Sequence, residues 1–243
     1  MSDTPALPLY ALTPINLRAS VVIPCFNESQ TINELIDRVQ AVPIDKEVIV
    51  VDDYSTDGSR EILAQRAERR GDIVLCLRAH NGGKGAAVQE GLKCAHGDVV
   101  IIQDADLEYD PADYPVLLRP IQTGKANVVY GSRFIGEHRA MYFWHSLGNK
   151  FLTLLCNVLF DTTLTDMETC YKVFTIDIAR QLRLREPGWG FDPEVTARIL
   201  KMGHRIYEVP ISYAGREFNE GKKISWRDGF VVLRTLLRYR FLP

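Results

Sequence analysis

Three short apolar runs, each breaking off into a cluster of polar and acidic residues, constrain this chain more than any other feature. Val22-Ile23-Pro24 leads into Cys25-Phe26-Asn27-Glu28, Val50-Val51 into Asp52-Asp53, and Ile101-Ile102 into Gln103-Asp104-Ala105-Asp106-Leu107-Glu108. Runs that are apolar throughout suit parallel strands covered on both faces. Helical patterns lie between them. Ile32, Leu35, Ile36 and Val39 recur on one face, with Thr31 and Glu34 spaced as a capping box. Further on, Asn81-Gly82-Gly83-Lys84-Gly85 enters a helix carrying Ala87, Val88, Gly91 and Leu92. Strands are expected over 19–24, 47–51, 73–77, 98–103 and 127–130. Their alternation with helices implies right-handed crossovers and a mostly parallel open sheet. In such sheets ligands bind beyond the carboxyl ends of the strands, so the three polar clusters should meet at one edge.

The second half is less regular. Helices are expected over 141–160, 193–202 and 225–239, and strands over 171–174 and 205–213. The 243 residues are enough for one large α/β domain. Residues 1–18 read as an N-terminal extension to one domain over 19–243, whose more regular half is 19–133 and whose other half, 134–243, ends in an amphipathic helix. A formal net charge of -2 gives no general attraction to nucleic acid. The five cysteines form no C-x-x-C pair and are odd in number, which points to reduced thiols and a cytoplasmic protein. No stretch reaches the ~20 apolar residues that cross a bilayer. The 140–160 stretch, rich in aromatic residues, suits either a membrane surface or a core or dimer interface, so a homo-oligomer stays open.

The carboxylates at that edge need a positive partner, because like charges raise one another's pKa. A divalent cation with a taste for hard oxygen, Mg²⁺ or Mn²⁺, relieves them, and Mg²⁺ usually adds substrate phosphates to one or two carboxylates. Asp104, Asp106 and Glu108 would face one ion if the backbone stays extended, which makes a diphosphate the natural substrate. Asp57 reads as turn chemistry in Ser55-Thr56-Asp57-Gly58. Asn81 to Gly85 lacks the spacing of a phosphate-binding loop and reads as a tight turn with Lys84 near the phosphates. No histidine pair has metal spacing; His145 stands out for its aromatic neighbours.

These segments, taken in order, resemble the inverting glycosyltransferases of family 2, and within them the dolichol-phosphate-mannose-synthase-like branch. The matching residues are V-V-I-P-C-F-N-E, V-V-D-D-Y-S-T-D-G-S, N-G-G-K-G-A-A, D-V-V-I-I-Q-D-A-D-L-E, G-S-R-F, D-M-E-T-C-Y-K-V-F and E-V-P-I. The resemblance implies a GT-A fold, with 19–133 as the nucleotide-sugar-binding half and 134–243 as the acceptor-binding half. Pro24, Phe26, Glu28, Val51 and Asp53 would hold the base and ribose of a nucleotide sugar, with Asp104, Ala105 and Asp106 at its diphosphate. Asp106 would ligate the metal, with Asp104 and Glu108 as further ligands. Arg133 would contact the diphosphate, and Arg216 and Lys222 would close over it. Arg139, His145, Asn149, Tyr171 and Lys172 would form the acceptor side. His145 and Asn149 stand where relatives carry an arginine and a serine.

The expected reaction moves a hexose from a donor of the GDP-mannose or UDP-glucose type to a polyprenyl phosphate by one in-line displacement. A phosphate acceptor needs no base. A hydroxyl acceptor, the alternative, needs one, with Asp166 or Glu168 as candidate. A nucleotide-binding module without turnover is the remaining alternative.

Overall fold

A computed structural model describes residues 15–215 and 228–242. Its centre is a seven-stranded sheet: β1 (Ala19–Cys25), β2 (Lys46–Asp52), β3 (Val74–Leu77), β4 (Val99–Ile102), β5 (Val128–Ser132), β6 (Lys172–Thr175) and β7 (Tyr207–Pro210). The spatial order is β3-β2-β1-β4-β6-β5-β7. β1, β2, β3 and β4 pair in parallel, as do β5 and β7. β6 runs antiparallel to both β4 and β5. The sheet is thus mostly parallel, as expected. The one reversed strand is invisible to hydrophobic periodicity, which reads the same in both directions.

The central strands are apolar on both faces because helices cover both. Every residue of Val99–Ile102 is at most 1% exposed. Each such Val or Ile contributes about 1.5–3 kcal/mol relative to leaving it in water. The helices are α1 (Ile32–Ala41), α2 (Ser59–Arg70), α3 (Lys84–Lys93), α4 (Tyr114–Gln122), α5 (Phe143–Phe160), α6 (Ile176–Gln181), α7 (Phe191–Lys201) and α8 (Asp228–Phe241). The face of α1 built from Ile32, Leu35, Ile36 and Val39 is buried, as its spacing requires. α3 lies so close to the sheet that a Cβ on Gly91 would come within 2.4 Å of Val22 Cγ1.

Two details depart from the sequence reading. α4 and α6 were not anticipated; α4 carries Pro115 near its start and Pro120 inside it. The capping box at α1 does not form: the Thr31 hydroxyl instead donates to Glu28 Oε2 (2.9 Å) and the Ala105 carbonyl (2.8 Å), while Glu34 pairs with Arg38. Thr31 therefore ties the β1 turn to the β4 turn. The two sequence halves share one sheet, as the expected single domain requires, since β6 of the second half lies between β4 and β5. Residues 16–18 of the expected extension are held to the domain, Asn16 by Gln122 and Arg18 by Asp98 and Glu47.

Candidate active site

The turns after β1, β2 and β4 lie side by side at one edge of the sheet. Asn27, Tyr54 and Leu107, one in each turn, have positive φ angles of 54°, 66° and 63°. For non-glycine residues this conformation costs roughly 1–2 kcal/mol, and such strain gathers at functional sites.

The β1 and β2 turns brace each other. Asn27 and Glu28 amides donate to the Ser55 and Ser59 hydroxyls, and Asn27 Oδ1 accepts from the Thr56 amide. Asp57 accepts from the amides of Ser29 and Ser59. Its partial burial opposes ionisation, but these hydrogen bonds prevail and hold its carboxyl down to about 2. Asp57 is thus turn chemistry, as read. Asp52 is fully buried and paired with Arg60.

Asp53 organises the glycine turn. Its carboxylate accepts the amides of Gly82 and Gly83, at 2.6 Å from the latter, and pairs with Arg78. Gly83 has φ +82°, and a Cβ on Gly85 would sit 2.1 Å from the Glu186 carbonyl. This turn needs glycine for backbone shape and close approach. Arg78 carries no sequence signal of this role. Phe26 is open at the edge, Pro24 is half-buried, and Val51 and Ala105 are buried, so those two can meet a nucleotide only through backbone.

Lys84 turns toward the D-x-D segment. Its ammonium lies 3.0 Å from Asp104 and 3.6 Å from Asp192. Burial opposes its charge, but the two carboxylates outweigh that and keep it firmly protonated. The three-ligand site expected from Asp104, Asp106 and Glu108 does not form in one piece. The left-handed Leu107 breaks the extended backbone that would have aligned them. Asp104 faces Lys84, and Glu108 accepts the Tyr213 hydroxyl at 2.8 Å. Asp106 stands partly open, its Oδ1 accepting the Glu108 amide. Among the described residues no group of three His, Cys, Asp or Glu is placed to hold an ion. Asp106 with Asp104 beside it still fits a hard cation that draws its other ligands from phosphates and water.

Arg133 follows β5. It forms a bidentate pair with Asp166, Nε–Oδ2 2.7 Å and Nη2–Oδ1 2.8 Å, and its amide donates to the same carboxylate. Asp166 is fully buried and Arg133 nearly so. Burial opposes the guanidinium charge, and Asp166 overcomes it. Asp166 as general base is therefore corrected: its carboxylate positions Arg133. Glu208 of β7 holds this segment by accepting the Thr165 and Asp166 amides. The Arg133 guanidinium lies 5.3 Å from the Tyr213 ring centre. The chain of contacts Asp166, Arg133, Tyr213, Glu108 thus links the segment around Asp166 to the D-x-D turn. Tyr213 and Glu208 were missed as site residues, because their partners are remote in sequence.

Two acceptor-side expectations are also corrected. Tyr171 and Lys172 are fully buried. The Tyr171 hydroxyl donates to Gln103 (2.8 Å), and Lys172 pairs with Asp192 (2.5 Å). They support the site from inside rather than line it. Arg139 is exposed and His145 and Asn149 are half-buried, on the loop before α5 and on its first turns. Arg216 and Lys222 lie outside the described residues.

A family model described as "Glycosyl transferase family 2" matches residues 20–183. The chain belongs to glycosyl transferase family 2. It is 30% identical over 229 residues to the undecaprenyl-phosphate mannosyltransferase of Micrococcus luteus, covering 90% of this chain and 93% of that one. It is 32% identical over 224 residues to the low-salt glycan biosynthesis hexosyltransferase Agl6 of Haloferax volcanii, of which it spans 52%. Among solved structures, glucosyl-3-phosphoglycerate synthase from Mycobacterium tuberculosis, in complex with Mn²⁺, UDP and phosphoglyceric acid, matches with TM-score 0.74 at 22% identity, over 94% of this chain and 80% of that one. This likeness establishes the fold. This family 2 glycosyltransferase therefore has the GT-A-type architecture that its family resemblance implies, and no described helix is long and apolar enough to cross a membrane.

Proposed function

We propose that this glycosyltransferase moves a hexose from a nucleotide diphosphate sugar to a polyprenyl phosphate, with inversion and with Mg²⁺ or Mn²⁺. The structural observation that bears on the acceptor class is the Arg133–Asp166 pair, which removes Asp166 from the two candidate bases. A hydroxyl acceptor needs a base, and the Asp166 carboxylate is sealed and doubly occupied by Arg133. A phosphate acceptor arrives as an anion and needs none. The undecaprenyl-phosphate mannosyltransferase relative supports the same reading.

In this reading the turns after β1 and β2, with Pro24, Phe26, Glu28, Val51 and Asp53, form the nucleoside site. Asp53 acts there by shaping the glycine turn. Asp104 and Asp106 would hold the ion, with Glu108 behind them, and a bound ion would supply positive charge beside the diphosphate. Arg133, held rigid by Asp166, faces the same leaving group. Preorganised charge of this kind stabilises a transition state without reorganisation during the reaction. Lys84 keeps Asp104 compensated before the ion arrives.

A lipid acceptor also gives a role to α5 and α8, which pack against each other. Trp144, Phe151 and Val158 on α5 are 77%, 61% and 73% exposed, and Phe241 on α8 is 71% exposed. α5 carries no acidic residue. Arg234 and Arg240 are exposed on α8. An apolar face rimmed by arginines fits an anionic bilayer surface. Self-association through it would bring the arginines together. The protein is thus read as peripheral on a membrane, on its cytoplasmic face.

The test is a panel of GDP- and UDP-sugars with and without polyprenyl phosphate and with chelator or Mn²⁺, following radiolabel into the lipid phase. Label appearing only in water-soluble products would overturn the lipid acceptor, and turnover indifferent to chelator would overturn the metal.

A further inference from the structure

Between the Arg133–Asp166 pair and the buried Lys172–Asp192 pair stands a carboxyl that neither pair uses. Glu168 lies in the segment 165–170, which is fixed on one side by Glu208 and on the other by α5, where the Thr153 hydroxyl accepts the Met167 amide at 3.2 Å. The segment is therefore rigid where Glu168 projects from it. Glu168 Oε1 is sealed from solvent and has no hydrogen-bond partner, while the residue as a whole keeps part of its surface open. The adjoining Thr169 is fully buried, and its hydroxyl is also without a partner.

An ionised carboxylate shares its charge between both oxygens. Here one oxygen is sealed from bulk solvent and has no donor, so the charged form bears a desolvation cost that no direct hydrogen bond to that oxygen offsets. A neutral carboxylic acid avoids this. Its carbonyl oxygen can remain sealed, since an under-satisfied carbonyl is tolerated better than an orphaned donor, and its hydroxyl is free to donate outward. The charged groups facing it are Asp192 on α7, Lys172 on β6, Arg133 after β5 and Asp166 in its own segment. Cys156 on α5 is a further titratable neighbour, its thiol pushed up to about 12 by burial and by Glu168. Burial first, and then Asp192, push the Glu168 carboxyl up to about 8 against the pull of Lys172 and Arg133.

We propose that Glu168 enters the reaction uncharged and donates a hydrogen bond to a phosphate oxygen of the acceptor. The inference rests on the lipid-phosphate reading above and extends it. An ionised Glu168 would repel the acceptor phosphate, whereas the acid recognises it and selects for an anion that needs no base. Deprotonation of Glu168 removes the donor and adds a negative charge, so acceptor affinity is present below the carboxyl's pKa and is lost as pH rises through it.

The experiment measures kcat and acceptor KM for a short-chain polyprenyl phosphate at saturating donor, from about pH 7 to about pH 9.5. Phosphomonoesters lose their second proton near pH 6, so the acceptor's own titration lies below this window. In the wild type, acceptor KM should climb about tenfold per pH unit above the pKa while kcat changes little. E168Q keeps a donor that cannot titrate. It should hold acceptor KM within about threefold of the wild-type value at low pH, with no rise, because an amide replaces one hydrogen bond with another. Binding of the same lipid to donor-free wild type, followed by tryptophan fluorescence over the same pH range, should weaken in parallel and does not depend on how the variant folds. A flat wild-type KM and flat binding overturn the proposal. So does an E168Q enzyme with unchanged acceptor KM and a large loss of kcat, which would make Glu168 a base. Transfer to hydroxyl acceptors but never to lipid phosphate would instead overturn the reading beneath it.

Discussion

The donor edge and the acceptor side of this enzyme are built by different means. At the donor edge, the turns after β1 and β2 and the glycine turn are stitched by backbone amides that donate to side-chain oxygens. Asn27, Glu28 and Ser29 reach the 55–59 turn, and Asp53 reaches Gly82 and Gly83. The acceptor side is built from side-chain pairs: Arg133 with Asp166, Lys172 with Asp192, Thr165 with Glu208. It also holds unpartnered polar atoms on Asn149, Glu168 and Thr169. The donor edge is thus largely satisfied within the protein, Asp104 by Lys84 and Glu108 by Tyr213. The acceptor side leaves neutral polar groups to be satisfied by something else. Substitutions at the two places should fail in different ways.

The largest expected effect is at the D-x-D turn. Asp106 is partly open, and its carboxylate accepts the Glu108 amide. Asp106→Ala should reduce turnover on the order of a thousandfold, as loss of a positioned charge stabiliser does, with an unchanged unfolding midpoint. Near-normal turnover with Mn²⁺ would move the ion elsewhere and erase the contrast between the two regions.

Arg133→Ala should combine both kinds of failure. It removes charge facing the leaving group and leaves Asp166 buried without its partner. Breaking one side of a buried pair costs about 3–5 kcal/mol, so the unfolding midpoint in denaturant should fall together with the rate. The Arg133→Ala, Asp166→Ala double variant should recover part of the stability and none of the activity. Additive losses of stability would show that the pair is not coupled.

The contrast also separates what could be read in the residues from what could not. The donor edge was legible because its chemistry is local: an apolar strand, then a polar turn, three times over, with Asp57 and the glycine run identifiable as turns from their own residues. The three-carboxylate ion site was misread, because one left-handed residue, Leu107, decides where Glu108 points, and nothing in a D-A-D-L-E string announces it. The acceptor side was poorly legible throughout. Tyr171 and Lys172 looked like surface recognition residues, yet their partners, Gln103 and Asp192, lie 68 and 20 residues away. Asp166 looked like a base until its partner, 33 residues upstream, was in place. β6 shows the same limit, since strand direction is a tertiary fact.

A smaller effect tests whether the glycine turn serves only as support. Asp53→Ala leaves the Gly82 and Gly83 amides and the Arg78 guanidinium without their acceptor. Each unsatisfied group costs about 1–3 kcal/mol when buried, but this turn is partly open, so the loss of stability should fall at the low end of that range. Nucleotide affinity should weaken along with it, because Lys84 begins the helix after the turn and faces Asp104. Calorimetric binding of UDP and GDP reads this directly. Unchanged affinity in a destabilised variant would reduce Asp53 to a fold residue.

The smallest effect on stability should come from the face with the largest exposed apolar area. Trp144, Phe151 and Leu154 project from α5 into solvent, so replacing all three by serine should move the unfolding midpoint little, each change lying within about 0.5 kcal/mol. Sedimentation with vesicles containing anionic lipid should change far more, since each side chain withdrawn from a bilayer gives up about 1.5–3 kcal/mol of transfer free energy. Turnover on a water-soluble short-chain acceptor should be preserved, and turnover on a long-chain acceptor in vesicles should fall with binding. If the triple variant instead unfolds more readily, or changes its mass in solution without changing vesicle binding, the face belongs to a protein contact. The acceptor side would then open on another polypeptide rather than on a membrane.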